Sequence, residues 1–206
     1  MSRVVNALLG WTCRVTSILM TRVSGSQYQL RLPTLDDVDE IKRLIHRSMW
    51  SLGVRDYTPA QVTSVLKYAM GVDTQLVRDG TYFIVIERTT SRIVGAGGWS
   101  FRKLLHGGDG AKQPGDEAPL DPATDAARIR AFFVDPAHAR RGIARMLLEL
   151  CESKAREAGF TRMELAATLT GVNLYRACGF EVIERVEATL PDGVRAALVR
   201  MQKDLC

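Results

Sequence analysis

Several features that would assign a protein to a class at once are missing from this sequence. No apolar run approaches the roughly 18 to 20 residues that cross a membrane, so we expect a soluble protein without a membrane partner. The four cysteines and three histidines are scattered, with neither the spacing of metal ligands nor that of a secreted disulfide framework. We therefore predict no bound metal and a reducing, cytoplasmic environment.

Acidic residues are absent from the start of the chain, where positive charge accumulates. Nothing before Asp36 is acidic, and the arginines there are Arg3, Arg14, Arg22 and Arg31. Subtracting these four from the formal net charge of +5 leaves +1 for the rest of the chain. Because a nearly neutral body does not provide the basic face that binds nucleic acids, we predict no nucleic-acid partner.

The segment 1–26 differs in composition from the rest of the chain. It carries arginine, serine and threonine but no acid, as organellar transit peptides do, yet Arg14 interrupts its apolar run. A flexible tail, or a true start at Met20, fits the same composition, and we favour these alternatives over targeting. We divide the chain into an N-terminal extension, 1–26, and one domain, 27–206, which is long enough to bury a single core.

Hydrophobic spacing predicts the secondary structure in the first half of this domain. Alternation from Tyr28 to Leu32 indicates a strand, and apolar residues at helical intervals from Leu35 onward indicate a helix. Thr58 and Pro59 form a cap and a first-turn proline, so a second helix begins there. The runs "TYFIVIE" and "RIVGAGGWSF" are typical of two strands joined as a hairpin.

The second half alternates strands and helices. The run "IRAFFV" predicts a buried central strand, and the spacing from Ile143 to Ala158 predicts an amphipathic helix that Gly159 ends. A strand at "RMELAA", a short helix at "GVNLYRACG" and a terminal hairpin turned at "PDG" come next. This order indicates an α/β protein of the α+β type, with a mixed sheet flanked by helices.

Residues 102–127 break the pattern with glycine, proline and aspartate, and they predict a long loop. Between Asp109 and Asp125 the loop carries five acidic residues against one lysine, Lys112. Either these charges attract a cationic amine, or they keep a solvated loop soluble. We favour the second alternative.

The junction between the central strand and the long helix has the composition of an anion site. It runs "VDPAHARRGIARMLLELCE" from Val134 to Glu152. A helix that begins at such a turn leaves main-chain N–H groups without partners and adds the positive end of its dipole. Gly142 and Ala144 let a phosphate approach the main chain, and Arg140 with Arg141 adds charge. Neither a nucleoside-triphosphate P-loop nor the three-glycine dinucleotide fingerprint is present.

Together with its neighbours, this junction closely resembles the GNAT superfamily of acetyl-coenzyme A-dependent acyltransferases. The family pattern is a strand ending in valine-x-proline, a glycine-bearing basic turn, a long helix, a strand, and a tyrosine shortly before glycine-phenylalanine. Here these elements are Val134 with Pro136, the turn "ARRGIA", and Tyr175 before Gly179 and Phe180. The resemblance implies a mostly antiparallel sheet whose middle strands splay apart, and it also allows a homodimer.

The resemblance implies specific roles for residues of this chain. Pantetheine would lie against the strand at Phe132, Phe133 and Val134, where a main-chain N–H polarises the thioester carbonyl. Tyr175 would be the acid that protonates the leaving thiolate. The remaining residues implied to bind acetyl-coenzyme A are Ala139, Arg140, Arg141, Gly142, Ile143, Ala144 and Thr168.

Some positions depart from the family pattern, and others have two interpretations. Ala139 replaces the usual glutamine or arginine, and Thr168 replaces an asparagine. The candidate general bases Glu87, Glu164 and His106 are each more typical of surface residues.

The aromatic residues Trp50, Tyr57 and Trp99 are candidates for an acceptor pocket, with core packing or core coverage as the alternative. Cys151 and Cys178 resemble buried apolar side chains, not nucleophiles.

We therefore predict an N-acetyltransferase that moves an acetyl group from acetyl-coenzyme A to a primary amine of a small molecule or peptide. Transfer would occur by direct attack in a ternary complex. The alternative is a non-catalytic acyl-coenzyme A sensor or regulatory module with the same fold.

Overall fold

The computed structural model describes residues 27–205, so the predictions for the extension 1–26 lie outside the described residues. Within this range the chain forms five α-helices and seven β-strands. Their bounds are β1 Tyr28–Arg31, α1 Val38–Ser51, α2 Pro59–Tyr68, α3 Thr74–Arg78, β2 Tyr82–Glu87, β3 Ile93–Ser100, β4 Ala127–Val134, α4 Ile143–Glu157, β5 Arg162–Thr168, α5 Val172–Ala177, β6 Glu181–Thr189 and β7 Arg195–Asp204.

The seven strands form one sheet in the order β1-β2-β3-β4-β5-β7-β6. Neighbouring strands are antiparallel except β4 and β5, which run parallel. The predicted mixed, mostly antiparallel sheet with flanking helices is confirmed. Both predicted hairpins are present, as β2–β3 and β6–β7.

The middle strands β4 and β5 are joined only at their first residues. Ala127 lies opposite Met163 and Arg128 opposite Glu164, and no later pair joins these strands in the described range. At Ala131 the φ angle is 55° and the register with β3 shifts, a bulge that bends β4. Beyond Arg128 the two strands therefore enclose a wedge that opens toward their C-terminal ends.

Apolar side chains cover both faces of the sheet. Helix α4 packs on one face through buried residues that include Leu147 and Leu148. Helices α1 and α2 pack on the other through residues such as Ile41, Leu44 and Val62. Burying each side chain of this size contributes about 1.5–3 kcal/mol. The wedge is consequently held between two packed layers.

Helix α2 begins as its sequence predicts. The Thr58 hydroxyl accepts the Gln61 N–H at 3.2 Å, and the Gln61 side chain accepts the Thr58 N–H at 2.9 Å, so the cap is reciprocal. Helix α3 was not predicted, because five residues are too short for a periodic signal. Its start is fixed by Asp73, which accepts the Gln75 N–H at 3.1 Å.

The prediction that "IRAFFV" is a buried central strand is right in position but wrong in burial for its second half. Strand β4 is fourth of seven, and Ile129 and Arg130 are buried. Residues 132–134 are only partly buried, because the neighbouring strand has separated there.

The long loop between β3 and β4 is ordered by charges that reach into the protein. Arg130 and Asp73 are each about 3% exposed and lie 3.0 Å apart, and Lys112 contacts Asp73 at 2.8 Å. Lys112 also pairs with Asp109 and Glu117. The other loop acids accept main-chain N–H groups of the loop itself. These charges are thus used within the protein, which agrees with the alternative in which they do not attract a substrate.

No helix within residues 27–205 combines the length and apolar character that a membrane crossing requires. In the same range, no group of three or more histidine, cysteine, aspartate or glutamate side chains is arranged to hold a metal ion.

Candidate active site

The turn from β4 to α4 is built from two unusual backbone conformations. Asp135 caps a short 3-10 turn at Pro136–His138 by accepting the Ala137 N–H at 3.0 Å. Arg140 and Gly142 then adopt left-handed φ angles of 64° and 82°, which reverse the chain into the first residue of α4. Glycine takes this conformation at little cost, whereas arginine is strained in it.

The turn presents a row of free donors. Among the described residues, no acceptor lies opposite the main-chain N–H groups of residues 140–145, while Met146 N–H already donates to Gly142 O at 2.9 Å. A Cβ atom added at Gly142 would meet nothing within 4 Å. Free N–H groups at the positive end of a 15-residue helix, next to open space, fit a phosphate. The family resemblance implied a diphosphate site on the N–H groups from Ala139 to Ala144. The Ala139 N–H instead donates to Pro136 O at 3.3 Å, and the first-turn rule adds Arg145 at the other end.

A partly buried ion pair connects this turn to helix α1. Asp135 is 7% exposed, and its carboxylate accepts a hydrogen bond from Arg47 Nε of α1 at 2.9 Å. Its N–H donates to Val94 O at 2.8 Å. Sequence reasoning missed this pair, although an aspartate before Pro136 is itself a capping signal.

Glu87, one candidate base, lies beneath the same turn. It contacts His138 at 3.9 Å, and the other His138 ring nitrogen is 3.0 Å from the Tyr28 hydroxyl. A hydrogen bond from the Thr90 hydroxyl lowers the pKa of Glu87, and Gln27 donates to it as well. The structure thus places Glu87 beside His138 of the turn, where Gln27 and Thr90 hold its carboxylate.

The wedge is lined by the predicted β4 residues. Phe132 and Val134 pack toward the α4 face, whereas Phe133 packs toward the α1 and α2 face. Gly97 on β3 makes room for this arrangement, because a Cβ there would lie 2.7 Å from the Phe132 ring. The edge of β4 that faces the gap is a template for an extended ligand, since strand edges bind extended chains through main-chain groups.

Tyr175 stands at the side of this wedge. It is 7% exposed, and its ring makes edge contacts with Phe132 and Phe180 at centroid distances of 6.3 and 5.7 Å. Burial raises the pKa of the Tyr175 phenol, and within the described residues its hydroxyl has no hydrogen-bond partner. The group is therefore protonated at neutral pH and has a proton to donate.

Thr168 ends β5 on the opposite side of the gap. A Cβ added at Gly171 would lie 3.4 Å from the Thr168 hydroxyl oxygen and 3.2 Å from the Tyr175 ring. The fold thus brings Phe132, Thr168 and Tyr175 together around one opening.

The other two candidate bases are Glu164 and His106. Glu164 pairs with Arg128 of β4 and accepts a hydrogen bond from Arg200 Nε of β7 at 2.9 Å. His106 is exposed in the long loop. The carboxylate of Glu164 is thus committed to a cross-strand ion network.

The aromatic candidates for the acceptor pocket separate into three environments. Trp99 is 4% exposed and packs edge-on against Phe101 and Phe160, so the acceptor-pocket interpretation of Trp99 is corrected to core packing. Trp50 is 45% exposed on α1. Tyr57 is buried in the connection between α1 and α2.

The two described cysteines agree with the prediction that they are not nucleophiles. Cys151 is completely buried and Cys178 is half-buried. Burial raises the pKa of both thiols, which disfavours the reactive thiolate.

Comparison with known proteins gives one family match and many structural neighbours. Residues 45–180 match the sequence model described as "Acetyltransferase (GNAT) family". No curated protein sequence matches the chain. A GCN5-related N-acetyltransferase from Rhodopseudomonas palustris has a TM-score of 0.63 and 18% identity, covering 87% of this chain and 97% of that one.

Two further solved structures are similar in fold. The PaiA N-acetyltransferase from Thermoplasma acidophilum, solved with coenzyme A, has a TM-score of 0.57 and 11% identity over 87% of this chain and 99% of its own. The ribosomal-protein-S18-alanine N-acetyltransferase from Escherichia coli has a TM-score of 0.53 and 13% identity over 86% and 94%.

Proposed function

The chain belongs to the GNAT acetyltransferase family and is an acyltransferase, and we propose that it transfers an acetyl group from acetyl-coenzyme A to a primary amine of a small molecule or peptide. The observation that carries this proposal is the row of free N–H groups at residues 140–145 beside an open wedge with Tyr175 at its side. In this proposal the three features act together as a phosphate site, a slot for an extended chain and a proton donor.

Binding would use the turn and the wedge together. Acetyl-coenzyme A supplies the activated acetyl thioester when it is bound. The N–H groups of residues 140–145 would hold its diphosphate, with Arg140 and Arg141 adding charge from exposed positions. The main chain of Phe132 and Phe133 would hold the pantetheine arm and polarise the carbonyl.

Transfer would be direct. The amine nitrogen forms its bond to the acetyl carbon while the carbon–sulfur bond breaks, the nitrogen loses a proton and the sulfur gains one. An acyl-cysteine route is not supported within the described residues, because Cys151 is enclosed and burial raises the pKa of both described thiols.

Tyr175 would protonate the departing thiolate. Burial raises its pKa, so the phenol is protonated at the pH of the reaction. General-acid help of this kind is worth about 100- to 10,000-fold in rate. Because Glu87 and Glu164 are held by other partners, we infer that the proton of the amine leaves to solvent.

The acceptor is a primary amine in this proposal. The neighbour named as a ribosomal-protein-S18-alanine N-acetyltransferase shows that this fold accommodates a protein acceptor, which is why peptides are kept beside small amines as candidates.

The proposal is tested by release of free thiol from acetyl-coenzyme A with a panel of small amines and peptides. We expect turnover with at least one amine and a loss of about 100- to 10,000-fold in kcat for Tyr175→Phe. Tyr68→Phe is the matched control. Tyr68 lies at the end of α2, where Lys67 stacks on its ring, and it is not part of the proposed site. Tight binding of coenzyme A with no turnover on any amine would instead support the acyl-coenzyme A sensor.

A further inference from the structure

Tyr57 has two hydrogen bonds that link separate parts of the chain. It lies in the connection between α1 and α2 and is 5% exposed. Its hydroxyl accepts the main-chain N–H of Leu169 at 3.0 Å and donates to the main-chain oxygen of Ala197 at 2.6 Å. One side-chain oxygen therefore bridges the residue after β5 to the strand β7.

The Tyr57 hydroxyl oxygen lies at a defined position in the hydrogen-bond ladder between β5 and β7. Strands β5 and β7 pair in register up to Thr168 opposite Leu198. At the other end of the ladder, Leu205 N–H donates to Thr161 O at 2.7 Å. Hydrogen-bonded pairs recur at every second position of an antiparallel ladder.

Counting in steps of two from Thr161 and Leu205 leads to Leu169 opposite Ala197. These are the next two residues that would exchange a direct N–H···O bond. The Tyr57 hydroxyl stands between them, so the last rung of the ladder is replaced by a side chain and β5 ends there.

The position of Tyr175 depends on where β5 ends. A 3-10 turn at Leu169–Gly171 comes directly after it and leads into α5, which carries Tyr175. A Cβ at Gly171 would be 3.2 Å from the Tyr175 ring, so turn and ring are in close packing. The Thr170 hydroxyl also donates to Asp56 at 2.8 Å, a second bond from the same connection to the same turn.

We propose that Tyr57 is a positioning residue for Tyr175: by occupying the last rung between β5 and β7, it sets the turn that holds the acid at the wedge. This inference rests on the proposed function, because it assumes that Tyr175 donates a proton to the leaving group. It assigns Tyr57 no contact with the acceptor.

A double-mutant cycle tests the proposal. Tyr57→Phe removes the bridging oxygen and keeps the ring. We expect kcat to fall about 10- to 100-fold, since small misplacements of catalytic groups have effects of this size, while the KM values for acetyl-coenzyme A and the amine change less than about twofold by the same reasoning. In a Tyr175→Phe background, Tyr57→Phe should cause no further loss of kcat.

Three results would overturn the proposal in distinguishable ways. Additive losses in the double variant would mean that Tyr57 acts independently of Tyr175. A raised KM for the amine with kcat unchanged would make Tyr57 an acceptor contact. Full activity of Tyr175→Phe alone would refute the acid role in the proposed function, and the positioning role with it.

Two further measurements keep the proposal testable if Tyr57→Phe does not fold. Asp56→Ala removes only the exposed second bond to the turn, and we expect a smaller loss of kcat that is likewise absent in the Tyr175→Phe background. Amide hydrogen exchange at Leu169 should be slow in the wild type and faster in Tyr57→Phe. Unchanged exchange there would contradict the replaced rung.

Discussion

Replacing Gly142 by alanine separates backbone strain from ligand contact. Gly142 has a φ of 82° at the start of α4, and a Cβ there would meet no atom within 4 Å. Gly193, in the β6–β7 turn, has a φ of 80° and the same open surroundings. The two glycines are thus matched in conformation and space, and they differ in that only Gly142 adjoins the free N–H groups.

The cost in stability should be similar for both variants. An alanine in the left-handed region costs about 1–2 kcal/mol, with no clash to add at either site. For a domain of this size, each kcal/mol lowers the Tm by roughly 2–4 °C. Both Gly142→Ala and Gly193→Ala should therefore unfold about 2–8 °C below the wild type by the same scale.

The cost in binding should differ. A methyl group at position 142 would occupy part of the open space at this turn, where the proposed diphosphate accepts hydrogen bonds from the N–H groups of residues 140–145. Losing one hydrogen bond to a charged group costs about 1.5–3 kcal/mol, which corresponds to roughly a 10- to 150-fold rise in the Kd for coenzyme A. Gly193→Ala should leave this Kd unchanged.

Isothermal titration with coenzyme A measures the difference, and kcat/KM with acetyl-pantetheine, which lacks the diphosphate, serves as the second control. We expect Gly142→Ala to lose its coenzyme A affinity but to keep its activity on acetyl-pantetheine. Equal coenzyme A affinity in the two alanine variants would refute the assignment of the turn to the diphosphate.

Charge and burial give three more predictions. Arg130→Met should cost about 1–3 kcal/mol of unfolding free energy in urea, because it removes one of the two cations that pair with Asp73 and leaves the carbonyl oxygens of Leu104 and Gly107 without their donor; a loss below about 1 kcal/mol would contradict a structural role for this pair. A hydrogen bond from Arg31 lowers the pKa of Asp37 from 3.8, so its contribution to stability is complete above that pH and is lost as the pH falls through the lower folded value. Asp37→Asn should flatten the acid limb of the stability curve. Cys151 should resist iodoacetamide in the native protein at a mildly alkaline pH and react after denaturation, as measured by mass spectrometry.

Local signals explain why much of the fold could be predicted. Three features could be predicted because each depends only on a few neighbouring residues. They are the cap at Thr58 and Pro59, the periodic face of α4 and the turn glycine Gly142, and the structure has all three. The splayed strands were expected from the family resemblance, not from the residues of β4, whose apolar run gives no sign that its second half borders a gap.

Contacts between distant residues explain what could not be predicted. Arg47 and Asp135 are 88 positions apart, and Tyr57 is 112 positions from Leu169 and 140 from Ala197. Single-residue patterns carry no information on such pairs. The environment of Trp99 could not be predicted for the same reason. The alternation of β3 assigns Trp99 to one face of the sheet, but it does not tell whether that face borders the acceptor or the core beneath α4.

The most direct test of the proposed site is a crystal structure of the protein with acetyl-coenzyme A. We expect the diphosphate to lie on the N–H groups of residues 140–145, the pantetheine arm to lie between β4 and β5, and the sulfur to be within hydrogen-bonding reach of the Tyr175 hydroxyl. A diphosphate bound elsewhere, or a sulfur remote from Tyr175, would contradict the proposed site.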